Sequence, residues 1–169
     1  MAEEFGAPGA GDALPNGADT LPQVGLISQY VKDLSFENPN APAVYQWQSQ
    51  PQIDIQFNIA SNRVGDDVYE VVLKVEVRAE GDSQVAFHVE LSYAGLFGLR
   101  NIPDDQIQFI LMAQAPALIF PFARRVLADA VRDGGFPPLL LEPIDFGSIY
   151  LQQAQAQAGQ AGFGAAGQA

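Results

Sequence analysis

The residues from Asp66 to Phe97, DDVYEVVLKVEVRAEGDSQVAFHVELSYAGLF, admit few folds. In the first half Tyr69, Val71, Leu73, Val75 and Val77 alternate with Glu70, Lys74, Glu76 and Arg78. In the second half Phe87, Val89, Leu91 and Tyr93 alternate with His88, Glu90 and Ser92. Successive side chains on a strand point to opposite faces, so this alternation makes one face apolar and buried and the other polar and wet. Gly81-Asp82-Ser83 supplies the flexible, self-hydrogen-bonding residues of a short hairpin loop. The stretch reads as two long strands, and its charged face needs a purpose.

The chain has 169 residues, 48% of them hydrophobic, enough for one domain with a real core. Acids outnumber bases 20 to 8, and the net charge of −12 disfavours nucleic acid and anionic membrane surfaces while suiting basic partners. The sequence has no cysteine, which removes disulfides, thiolate nucleophiles and Cys-ligated metals and fits a reducing, cytoplasmic setting. MAEEFGAPGAGDALPNG at the N-terminus starts acidic and lacks an apolar run, unlike a signal peptide. The uncharged run Gln106 to Ala123 contains two prolines and three glutamines. A membrane span needs roughly 20 mainly apolar residues, so this run reads as a kinked core helix.

Taken in order, residues 1–22 are rich in Gly, Ala and Pro and are expected to be disordered, as is the low-complexity stretch 154–169. A first strand starts near Leu26, with Leu26, Tyr30, Leu34 and Phe36 on one parity and Asp33 and Glu37 on the other. Asn38-Pro39-Asn40-Ala41-Pro42 ends it. The connection AVYQWQSQP carries Tyr45 and Trp47, which either pack on the sheet edge or form a ligand-facing apolar wall. Gln52 to Ala60 alternates again, followed by a link over 61–67 and the hairpin. These strands form one antiparallel sheet with one covered face, giving an α+β fold. Pro103 with Asp104-Asp105 opens a helix running to about Ala115, kinked at Pro116 and resumed until Gly134-Gly135. After the proline-rich FPPLLLEPI, Asp145 caps a last short helix in which Phe146, Ile149 and Tyr150 share a face.

Catalytic signals are weak. GFGAAG at 162–167 matches a dinucleotide-binding pattern literally, but that pattern works only between a strand and a helix. His88 is the lone histidine, with no Cys or second His to complete a triad or metal site. Asp66-Asp67 belongs to a turn and Asp104-Asp105 to a helix start. No catalytic residue, cofactor or metal is assigned, and binding with self-association remains.

Four strings carry a resemblance: YVKDLSFENPNAP (30–42), DDVYEVVLKVEV (66–77), FPFARR (120–125) and GGFPPLLLEPIDF (134–146). In this order and spacing they resemble SecB, the cytosolic protein-export chaperone family of Gram-negative bacteria, over residues 26–153. The resemblance implies a four-stranded antiparallel sheet with helices on one side, in a homotetramer built as a dimer of dimers. It implies an ATP-independent holdase that keeps secretory precursors unfolded and passes them to the SecA ATPase, with no cofactor or bound metal of its own. The family's SecA-contacting acids fall on Asp33, Glu37 and Glu90; His88 stands in that region where members usually carry Leu. Phe87, Val89, Leu91 and Tyr93 match positions whose alteration disturbs assembly. Tyr45 and Tyr150, with Ile149 beside the latter, match the precursor groove. Trp47 sits two residues earlier, relative to Pro51, than the loop Trp of the family.

On physical grounds Asp33, Glu37 and Glu90 would form an acidic patch for a basic partner if their strands present them on one face. A groove that binds many unfolded chains needs adaptable apolar walls and no catalytic constellation. Two other readings stand beside this one: a SecB-like chaperone of a toxin–antitoxin pair, and an acidic oligomeric adaptor of folded partners.

Overall fold

A computed structural model of the chain describes residues 20–164. Strands β1 (Gln23–Glu37), β2 (Gln52–Gly65), β3 (Val68–Gly81) and β4 (Gln84–Arg100) form one antiparallel sheet in the order β1-β4-β3-β2. Helix α1 (Asp104–Phe109) passes through a π-helical turn (Ile110–Gln114) into α2 (Ala115–Asp133), and α3 (Phe146–Gly164) closes the chain. The expectation for residues 1–19 lies outside the described residues, and GFGAAG begins on the last turn of α3 and runs beyond them.

The hairpin is present at full length. Asp82 and Ser83 turn it with φ of 50° and 62°, the double positive geometry that matches the twist of two antiparallel strands. Val71, Val75 and Val77 on β3 and Val89 and Leu91 on β4 have no exposed surface, while Lys74, Glu76, Arg78, His88 and Glu90 occupy the other face. β4 runs past the expected end at Phe97 to Arg100, and residues 95–100 pair with the start of β1. Gly95 lets this happen beneath α2: a Cβ there would lie 3.1 Å from Ile119 Cγ2 and 2.7 Å from the Phe97 ring. β2 likewise runs past the expected end at Ala60 to Gly65, leaving a two-residue turn at Asp66-Asp67.

The first strand corrects a simpler expectation. Register shifts between Leu26 and Ser28 and between Val31 and Asp33 insert extra residues into β1. A bulge exchanges the faces of all residues beyond it. Leu26, Leu34 and Phe36 therefore face the helices with Val31, whereas Tyr30, read from parity as their companion, lies on the outer face opposite Ala94.

The apolar run 106–123 lies within a helical stretch long enough to span a membrane, Asp104–Asp133. Here it packs on the sheet, burying Ile110, Leu111, Ile119 and Phe120. The kink expected at Pro116 is taken up before it. A π turn widens the helix, so the donor that proline lacks is lost where the hydrogen-bond ladder is already out of phase. At its far end Gly135 adopts φ of 85°; its N–H donates to Arg132 O at 3.0 Å and that of Phe136 to Val131 O at 3.3 Å, a Schellman cap. Within the stretch 154–169, expected to be disordered, α3 continues to Gly164, because Ala and Gln are good helix formers, although 151–161 is exposed all round; 165–169 lie outside the described residues.

Candidate functional site

The sheet's outer face is assembled by register. β1 and β4 place Asp33 opposite Ser92, Ser35 opposite Glu90 and Glu37 opposite His88, while β3 places Glu76 opposite Glu90. Residues directly opposite share a face, so Asp33, Glu37, His88 and Glu90 stand together on neighbouring strands. Glu76, not singled out from the sequence, joins them: His88 Nε2 lies 3.0 Å from Glu76 Oε1 and 3.7 Å from Glu90 Oε1. Glu76 was open to recognition, because it lies on the polar parity of β3 and mirrors Glu90 about the hairpin loop.

Elsewhere on this face charge is balanced. Lys32 Nζ reaches Glu70 Oε1 at 2.6 Å and the Tyr30 hydroxyl donates to Glu70 Oε2. The Lys32 ammonium, then the Tyr30 hydroxyl, holds the Glu70 carboxyl below its ordinary range, and the same bond raises the Tyr30 phenol. Arg78 pairs with Glu80. Among the described residues no Lys or Arg forms an ion pair with Asp33, Glu37, Glu76 or Glu90. The result is an acidic patch with one histidine at its centre.

The other side holds apolar clefts. The connection from β1 to β2 crosses the hairpin end of the sheet, where a single helical turn (Ala43–Gln46) presents Tyr45. Its hydroxyl donates to Gly134 O at 2.8 Å and accepts from Asn38 Nδ2 at 2.8 Å, and its ring meets Phe136 at 5.7 Å. This ties the loop to the cap of α2. Tyr45 and Trp47 line one cleft of about 260 Å³ with Phe136 and Pro137. Trp47 also lies on Gly81, where a Cβ would come within 3.3 Å of its ring. A second cleft of about 270 Å³ shares Gln50, Pro51, Phe136 and Pro137 with the first and adds Ile53, Phe87 and Leu139. Further along β2, a third is lined by Phe57, Ile59, Ile149 and Tyr150. Tyr45/Trp47 and Ile149/Tyr150, expected to belong to one groove, line separate clefts; the one beside Tyr45/Trp47 adjoins the start of β2 through Ile53, and the other lies at its middle. α3 delivers Ile149 and Tyr150 because Asp145 accepts from Ser148 N at 3.0 Å and Ser148 Oγ at 2.7 Å, bonds that hold the Asp145 carboxyl low.

Phe87, Val89, Leu91 and Tyr93 are buried between sheet and helices, as packing requires. Phe87 stacks on Phe36 at 6.0 Å and meets Phe136 at 4.8 Å, so it also floors the middle cleft. Phe136 and Leu139 were missed from sequence because FPPLLL has no periodicity from which a facing side could be read.

A family model for preprotein translocase subunit SecB matches residues 17–157. The chain belongs to the SecB family. It is 63% identical over 161 residues to the protein-export protein SecB of Sphingopyxis alaskensis, covering 95% of this chain and 94% of that one. It is 59% identical over 169 residues to that of Rhizorhabdus wittichii, covering all of both chains. Among solved structures, a SecB-like chaperone of Mycobacterium tuberculosis in complex with an antitoxin peptide matches with a TM-score of 0.59 at 16% identity, over 72% of this chain and 90% of that one. At that identity the likeness is one of fold. The SecB sheet-and-helix layer thus carries here an acidic outer patch and separate apolar clefts beside β2.

Proposed function

We propose that this protein is an ATP-independent holdase of protein export. It binds non-native precursors in the clefts lined by Tyr45 and Trp47 and by Ile149 and Tyr150, and presents Asp33, Glu37, His88 and Glu90 to SecA. The observation that carries this reading is the separation of surfaces: apolar clefts beside β2 and an uncompensated acidic patch across β1, β4 and β3. Apolar burial supplies affinity for unfolded segments without sequence demands. An acidic patch supplies encounter rate and orientation toward a basic partner.

Assembly as a dimer of dimers fits two further features. β1 is a 15-residue edge strand whose Val24, Leu26, Ile27, Val31 and Leu34 remain partly exposed, a surface that another protomer would cover. Leu118 and Phe122 on α2 are likewise exposed and suit packing between dimers. The working location is the cytoplasm, where precursors are made.

The test combines light-scattering mass with capture of a reduced, unfolded precursor. A tetramer that slows precursor refolding without ATP is expected. A monomer indifferent to unfolded chains, or a particle that binds only folded partners, would overturn the proposal.

A further inference from the structure

The cluster at the centre of the acidic patch has an arrangement that partner binding alone does not require. Glu76 and Glu90 are directly opposed on β3 and β4, and like charges facing each other across strands are destabilising. Arg78, opposite His88, would be the natural neutraliser, but its guanidinium bonds Glu80 instead. What stands between the two carboxylates is the His88 imidazole, with a side chain only 21% exposed. One ligand atom from each of Glu76, His88 and Glu90 lies within 4.8 Å of the other two.

These separations match a metal-ion polyhedron. Zn²⁺ binds imidazole nitrogen and carboxylate oxygen at about 2.0–2.2 Å, which puts two ligands of a tetrahedral ion about 3.3–3.5 Å apart. The distances from His88 Nε2 to the two carboxylates, 3.0 Å and 3.7 Å, bracket that spacing. The ligands stand on three corners of a cross-strand square in a continuous hydrogen-bonded sheet, so their backbones are fixed before any ion arrives. All three are half-buried, leaving an outward position for water or a ligand from a partner. Glu37, in register with His88 from β1, adds negative charge beside the site.

We infer that Glu76, His88 and Glu90 form a surface site for a divalent transition-metal ion of the Zn²⁺ class. One nitrogen and two carboxylate oxygens favour Zn²⁺, Co²⁺ or Ni²⁺ over Mg²⁺, which prefers oxygen ligands in octahedral geometry and dehydrates reluctantly. The bound ion would replace the direct contact between His88 Nε2 and Glu76 Oε1 and offset the repulsion between the two glutamates. On the partner reading, it would also lower the patch's negative charge and offer an open coordination position there; the binding itself does not depend on that reading.

The experiment is isothermal titration of the untagged full-length protein, stripped with a chelator, using ZnCl₂ with Mg²⁺ in excess. One saturable Zn²⁺ site per chain is expected. His88→Leu and, independently, Glu76→Gln should weaken it at least tenfold, in line with the sensitivity of metal sites to loss of supporting groups. Glu142→Gln, an exposed acid away from the sheet face, should leave it unchanged. Co²⁺ substitution should give the visible absorption of a four-coordinate ion. Circular dichroism establishes that each variant is folded, and the two ligand variants cover one another if either fails. No saturable binding by the wild-type chain would overturn the inference, as would equal binding by both ligand variants, which would mark Zn²⁺ as held diffusely by surface acids. No SecA is present, so this result is independent of the partner assignment.

Discussion

Residues 90 and 91 are neighbours on β4 and lie on opposite faces, so exchanging each tests whether the faces do different work. Glu90 faces Glu76 across the strand pair. Replacing it in Glu90→Lys turns a like-charged cross-strand pair into an opposite one, and such pairs contribute about 0.2–1 kcal/mol. The unfolding temperature at fixed protomer concentration should therefore hold or rise slightly. Its effect on a basic partner is the reverse. Two unit charges about 4 Å apart in water interact by about 1 kcal/mol, so exchanging an attraction for a repulsion costs about 2 kcal/mol, roughly thirtyfold in Kd. Salt should shrink that difference, because rim charges are screened. The assays are thermal unfolding, titration with SecA in the presence of a chelator, and capture of an unfolded precursor. Loss of SecA binding with stability and capture retained is expected. Equal loss of both activities, or a destabilised protein, would refute the separation of faces.

Leu91→Ala removes a side chain with no exposed surface and should cost about 2–5 kcal/mol in chemical denaturation, with assembly and capture falling together. Gly134→Ala would place a Cβ 2.2 Å from Phe36 Cζ, in a ring already stacked on Phe87; overpacking of about 1–3 kcal/mol and a loosened Tyr45 loop should appear as a lower Tm and weaker precursor capture. Glu70→Gln should lower stability at neutral pH by about 1 kcal/mol, a charge-assisted bond discounted for the half-exposed Lys32. Because folding lowers the Glu70 pKa, its contribution is complete above the ordinary carboxylate range and vanishes as pH falls through the folded value. The wild-type and Glu70→Gln stabilities should accordingly converge in acid; a gap that persisted or widened there would show that the carboxylate charge is not its source.

The amino-acid sequence alone determined the two-faced hairpin, the turn at Asp82-Ser83, the Gly135 cap and the membership of a chaperone family. Each of these is local: an alternation of period two, two residues tolerant of positive φ, a glycine after the last helical turn. Tyr45 with Trp47, and Ile149 with Tyr150, which the family resemblance implied for a precursor groove, each line a cleft. Tertiary structure decided what depends on long-range register. Two bulges in β1 moved Tyr30 to the outer face beside Glu70, and a parity count along one strand cannot register an extra residue defined only by its partner strand. The order β1-β4-β3-β2 brought Asp33 and Glu37 alongside His88 and Glu90, residues more than 50 positions apart. The same pairing set Glu76 against Glu90 with His88 between them, where the sequence offered only a lone histidine on a wet strand. Alternation tells which side of a strand a residue faces, but what stands next to it is settled only when the strands pair.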